Sequence, residues 1–168
     1  MNLETVESVL AEAGYGASPT EQDDLDLLNL ATRRQVASTA VDLANNQGAR
    51  WDTDRFYNAL APEGSPKCNL YVRDVLNEAG ANTPKFSANE WGNPNSRIPN
   101  WSVVGDGSVQ PGDVVGFSRP GGQPGHVGIV PEGAEGLRPD VLAATHGGVA
   151  PTQIFWRHDP IVWRWTGD

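Results

Sequence analysis

A chain of 168 residues is long enough for one domain with a substantial core, and its 19 glycines and 13 prolines argue for short elements and many turns rather than a helical bundle. A formal charge of −9 argues against the clustered Lys and Arg of a nucleic-acid surface. One cysteine excludes an internal disulfide and a cysteine-rich zinc site, and His126, His146 and His158 are too scattered for a paired metal motif, so the sequence calls for no metal or cofactor.

The opening stretch MNLETVESVLAEAG carries a short apolar stripe (Leu3, Val6, Val9, Leu10) that ends at Gly14 and Gly16. It is acidic, without the basic-then-apolar order of a secretory signal, and no apolar run approaches the roughly 18 residues that span a bilayer. The expectation is a soluble protein made in the cytoplasm without a signal peptide, with no membrane insertion. Next, SPTEQDDLDLLNLATRRQVASTAVDLANNQG predicts a helix with Ser18 as N-cap, Pro19 in the first turn and Glu21 at the capping-box position. Asp23, Asp24 and Asp26 come early and Arg33 and Arg34 later, as the helix dipole prefers; Gly48 stops the helix, and a break near Thr32 is one option.

RWDTDRFYNALAPEG reads as a short amphipathic piece, and a helix around Cys68 follows, closing at Gly80. Residues 81–106, rich in Asn, Pro and Ser with Trp91 and Trp101 inside, read as a long loop of the kind that wraps a site. Then the period changes. DVVGFS, HVGIVP, VLAATHG, TQIFWR and IVWRWT are short, β-branched or aromatic, and separated by Gly/Pro turns. Helices first and a meander of strands after predict an α+β fold, with an antiparallel sheet packed on the Cys68 helix. A single domain spans 1–168, its residues 1–50 helical and its core at 51–168.

With Ser65 as N-cap and Pro66 as first helical residue, Cys68 falls at the third helical position, where unpaired N–H groups and the dipole favour a thiolate. The other reading is a buried core cysteine, and position alone leaves both open. A thiolate catalyst needs a base, and His126, opening a strand after the turn RPGGQPG, is placed to face the tip of a helix on that sheet. For the group that orients the imidazole, His146 on the next predicted strand is the choice; Thr145 points to the opposite face by alternation. His158, in a turn beside Asp159, is the weaker candidate.

KCNLYVRDVLNEAG, PGDVVGF and GHVGIV, in that order and spacing, resemble the NlpC-type and CHAP-type papain-like cell-wall peptidases and amidases over roughly Asp54 to Gly148. The resemblance implies a cysteine-bearing helix packed on an antiparallel sheet, Cys68 as nucleophile, His126 as general base and then acid, and His146 as orienting residue. It implies an oxyanion role for Tyr57, with Asn69 and Trp91 as further candidates for oxyanion or substrate binding. Asp113 in PGDVV corresponds to the family's turn aspartate, a structural residue. NlpC-type enzymes read Asp-Cys-Ser-Gly at the nucleophile, whereas here Lys67-Cys68-Asn69-Leu70 stands, closer to the compact amidases delivered by type VI secretion or to phage amidases. Residues 1–50 have no counterpart in the resemblance.

These readings imply a hydrolase acting on peptidoglycan stem peptide, delivered to the periplasm or wall of a target cell, with an immunity protein as partner in the secretion case. Lys67, Arg73, Lys85, Arg97 and Arg119 are candidates to offset the −9 charge toward an acidic peptide. A papain-like protease, deamidase or acyltransferase with a protein target is the alternative, and a non-catalytic binding domain with Trp-rich strands is the third.

Overall fold

The computed structural model describes residues 20–134 and 136–167. The stripe at Leu3–Leu10, its closing glycines, Ser18 and Pro19 lie outside the described residues. Helix α1, Glu21–Gln47, opens on Thr20, whose hydroxyl accepts from the Asp23 N–H (3.2 Å) while the Asp23 carboxylate accepts from the Thr20 N–H (2.8 Å). This capping box places Glu21, Asp23 and Asp24 at the positive end of the helix dipole. With no Pro or Gly inside it, the helix passes Thr32 unbroken and runs on through Gly48 into a 3-10 turn, Gly48–Trp51. Only its second half is buried, through Val36, Ala37, Thr39, Ala40 and Leu43.

Residues 52–66 form a turn-rich loop instead of an amphipathic piece. Asp52 and Asn58 use their side chains to accept backbone N–H groups two residues on, at Asp54 and Leu60, and such local bonds compete with helix. Helix α2, Cys68–Glu78, therefore starts two residues later than Ser65 and Pro66 predict. Ser65 donates its hydroxyl to the Pro62 carbonyl (2.6 Å) rather than capping, and the non-helical residue before the helix is Lys67. The helix buries Cys68, Leu70, Tyr71, Val72, Val75 and Leu76, and Gly80, at φ +79°, turns the chain away.

The stretch 81–106 is not all loop. Ser87 and Glu90 make a second capping box for a one-turn helix α3, Ala88–Trp91, and strand β1, Trp101–Val103, joins the sheet edge. Strands β2 (Val114–Phe117), β3 (His126–Ile129), β4 (Val141–Thr145) and β6 (Ile161–Trp165) fall on the predicted runs. β5 is Gly148–Thr152, while the run TQIFWR ends in a 3-10 turn, Ile154–Arg157, because the Thr152 hydroxyl accepts the Ile154 N–H and folds the chain back over the sheet. The sheet is antiparallel throughout, in the order β1-β6-β2-β3-β4-β5. The fold is α+β, as the element order predicts.

Strand alternation divides the core in two. Val114, Val127, Ile129, Leu142 and Ala144 face α1 and α2 in one cluster that includes Cys68. Val115, Phe117, Val130, Val141, Ala143 and Val162 face the other way and are roofed by Phe155 from the 3-10 turn. Asp113, fully buried, accepts from the Gln110 N–H (2.8 Å) and pairs with Arg164 (2.8 Å), which fixes the turn entering β2.

Candidate active site

Cys68 is the first residue of α2, so its own N–H and that of Asn69 belong to the unpaired first turn. The helix packs on β3 and β4 and delivers the sulfur to the end of β3. The β3–β4 ladder is bridged at Ile129↔Leu142, and beyond that pair, toward His126, the main-chain N–H of Val127 points at the sulfur. The side chain is 2% exposed. Burial pushes the Cys68 thiol up, and the N–H groups of Val127, Asn69 and Cys68, which favour the thiolate, offset this only partially. At neutral pH the group rests as a thiol.

His126 is the residue before Val127, so the structure brings the two predicted partners to one strand end. The side chains take different faces. Val127 belongs to the α2 face, and alternation sends the half-buried His126 ring to the other, where it stacks on Phe155 (centroids 5.1 Å, 13°) and meets the edge of Phe117 (6.1 Å). No hydrogen bond among the described residues joins the imidazole to the thiol. Burial, aided by the nearby Arg119 guanidinium, lowers its pKa to about 4. At neutral pH the imidazole is therefore uncharged and the thiol protonated, and the two form no ion pair. Gly125 explains the Gly-His dipeptide: a Cβ there would run into the Phe117 carbonyl and the Asn89 side chain, so only glycine lets the chain enter β3 at this point.

His146 is not on a strand. It sits in the β4–β5 turn, mostly solvent-exposed, with Nδ1 3.1 Å from the Asp54 carboxylate, while Asp52 accepts the N–H of Gly147 (2.9 Å). The correction has a simple cause: β4 ends one residue early because Gly147 and Gly148, at φ +88° and +113°, make a tight hairpin. The β3–β4 ladder holds the pair Ile129↔Leu142, and at the far end of β4 the Thr145 hydroxyl donates to the carbonyls of His146 and Gly148 (3.3 Å each). His158 lies stacked on Phe117 (4.3 Å, 20°) and is exposed.

Two other candidates are corrected. The Tyr57 hydroxyl donates to Asp74 (2.7 Å) and accepts from Arg73 (3.0 Å), six residues along α2 from Cys68, roughly 9 Å of helix rise and on another side of it. Trp91, 2% exposed, is packed edge-on against Trp101 and Trp163 in the core, and offers no surface to a substrate. Asn69 is half-buried beside the thiol and contributes its N–H. Sequence reasoning did not anticipate the Val127 N–H, the Phe155 stack or the burial of Lys67, whose ammonium donates to three loop carbonyls. The sequence signal for Lys67 was its place immediately before the only cysteine.

Of the basic residues proposed to attract an acidic peptide, Lys67 is buried and Arg73 is tied to Asp74 (2.6 Å). An open groove of about 560 Å³ between the end of α1 and the β4–β5 hairpin instead gathers Arg50 and Arg55 with Asn45, Asn46 and Gln47. Among the described residues no three His, Cys, Asp or Glu side chains gather to hold a metal, and no helix is long and apolar enough to cross a membrane.

Residues 60–142 match the family model of the CHAP domain, a span of just under half the chain that contains both Cys68 and His126 and ends before His146. CHAP domains are typically amidases or peptidases acting on peptidoglycan, and the match supports a cell-wall amidase/peptidase-type family and a hydrolase activity. No curated protein and no solved structure matches the chain.

Proposed function

We propose that the chain is a cysteine-dependent hydrolase that cuts an amide bond in the peptide portion of bacterial peptidoglycan. The observation that carries this reading is the placement of the single thiol at the first turn of α2, against the N–H of the residue that follows His126, inside the CHAP match. The reaction begins when the His126 imidazole, which must leave the Phe155 stack and move round the end of β3 to reach the sulfur, takes the thiol proton. The sulfur then attacks the amide carbonyl, and the unpaired N–H groups at the start of α2 hold the tetrahedral oxyanion. The imidazolium returns the proton to the leaving amine, and water, activated by the same ring, releases the acyl group. The pKa of about 4 belongs to the ring in its Phe155 stack, where burial keeps it neutral and able to accept the thiol proton once it turns.

The groove lined by Arg50 and Arg55 supports an acidic peptide as substrate through Arg50, which no carboxylate pairs with among the described residues, while Arg55 is shared with Asp52 (3.8 Å). The substrate lies outside the cytoplasm, so we place the protein's action in the periplasm or wall of a target cell, reached through a specialised secretion machine or by phage lysis. In the secretion case the producing cell holds an immunity protein that covers the site. One observation favours a second reading, a binding domain with Cys68 in its core: the thiol is buried and makes no hydrogen bond to His126. Digestion of defined muropeptides, followed by mass spectrometry, separates the two. Cleavage at one amide, sensitive to iodoacetamide, is the expected outcome; intact fragments together with an unreactive Cys68 would establish the binding domain.

A further inference from the structure

Lys67 is fully buried, and among the described residues no carboxylate pairs with it. Its ammonium instead donates to the carbonyls of Thr53 (3.1 Å), Pro62 (3.2 Å) and Ser65 (3.0 Å), using all three of its protons. Two of these acceptors are already engaged: Thr53 O receives the Gly64 N–H (2.8 Å), and Pro62 O receives the Ser65 hydroxyl (2.6 Å). Satisfying the loop's carbonyls does not by itself require a charge here, and burying an ammonium without a counter-ion is costly. The cage is a main-chain cation site, occupied by a side chain of the protein itself.

What the cage joins gives it a purpose. The Thr53 N–H donates to the carbonyl of Thr145 (3.2 Å) at the end of β4, while Thr53 O holds the ammonium of the residue immediately before Cys68. One residue thus ties the start of α2, which carries the sulfur, to the end of β4. We propose that Lys67 is a positioning residue: its caged ammonium fixes the loop 53–65 on the helix tip and so sets the Cys68 sulfur against the end of β3. Its use in catalysis rests on the amidase reading above; the cage and its hold on the thiol do not.

The chain has two lysines, Lys67 and Lys85, which makes a direct test possible on the native protein. Under reductive methylation with formaldehyde and borohydride, Lys85, which is exposed, is dimethylated, whereas Lys67 is modified only when urea is present. Equal labelling of both lysines in the native protein would overturn the cage. Replacing the ammonium by Lys67→Met is expected to speed iodoacetamide alkylation of Cys68 at least about tenfold, because the loop no longer holds the thiol shut, and to lower kcat about 100-fold with KM within about threefold. The Lys67→Ala protein should regain turnover with added n-propylammonium and not with n-propanol; equal rescue by the alcohol would reduce Lys67 to a filler of volume. If Lys67→Met does not fold, Lys67→Arg carries the same comparison, since its planar fork cannot fill a three-carbonyl cage. Wild-type alkylation and turnover in Lys67→Arg would sink the proposal. Absence of wall-peptide cleavage by the wild type would fell the amidase reading instead, and would leave the methylation and alkylation results standing.

Discussion

The two faces of the sheet are built to different standards. The face that carries Cys68 is covered by two helices, and its thiol is met by the N–H groups at the start of α2 and by the Val127 N–H. The face that carries His126 is roofed by a single 3-10 turn, with the imidazole between Phe155 and the edge of Phe117 and no hydrogen bond among the described residues to fix it. In the proposed mechanism a rigid nucleophile and a base that must turn need different surroundings, and the sheet offers one on each side. The largest effect should come from removing either partner: Cys68→Ala and His126→Ala are each expected to lower muropeptide hydrolysis by at least about 1,000-fold while leaving the circular dichroism spectrum native. Full activity in His126→Ala would mean that the base lies elsewhere and that the two-sided arrangement has no catalytic meaning.

Phe155 is the next point at which the comparison can be tested. It is fully buried, and Phe155→Ala should cost about 3–5 kcal/mol of stability in chemical denaturation. Phe155→Leu, a gentler change, keeps the roof but removes the stack. It should let water reach the imidazole and move the acid limb of the pH–rate profile upward from about 4 toward the ordinary histidine value. An unmoved limb would show that the Phe155 stack does not set the His126 pKa.

The same histidine gives a stability signature with a definite sign. Its folded pKa is about 4 and its ordinary value 6.5, so between those limits the unfolded chain binds the extra proton. Stability present above pH 6.5 is therefore lost as pH falls toward about 4, and no more is lost on this account below it. His126→Gln should flatten the melting-temperature curve across that window. Asp23, Asp52 and Asp106, whose carboxyls are held below the usual range by backbone or hydroxyl hydrogen bonds, take over at lower pH in both proteins.

Much of this was legible in the residues. Alternating Val127 and Ile129 marked a strand, the amphipathic run after Cys68 marked a helix, and their order predicted the packing of one on the other. Which face a strand-end residue takes was harder to read, because it depends on which side the helix chooses, and alternation serves either choice. Tyr57 was misplaced for a related reason: spacing from the cysteine fixed its distance along the chain, but a partner on α2, Asp74, fixed where its hydroxyl went. Trp91 read as a loop residue until a capping box at Ser87 and Glu90 turned it into the core. Lys67 was invisible as a structural residue because lysine in a loop is normally solvated, and only the convergence of three carbonyls makes burial tolerable.

His146 should show the smallest effect, and for that reason it tests the comparison most finely. As the orienting member of a triad it would have to reach His126, whereas the structure leaves His146 in an exposed pair with Asp54. Exposed ion pairs contribute little, so His146→Ala is expected to shift the melting temperature by less than about 2 °C and to keep kcat within about threefold of wild type. Thr145→Val, which removes the hydroxyl that holds the carbonyls of His146 and Gly148 and so loosens the β4–β5 turn, should lower kcat more than His146→Ala does. The reverse order would show that the β4–β5 turn rearranges when substrate binds and brings His146 inward, and the loosely held face would then extend from the imidazole to the hairpin tip.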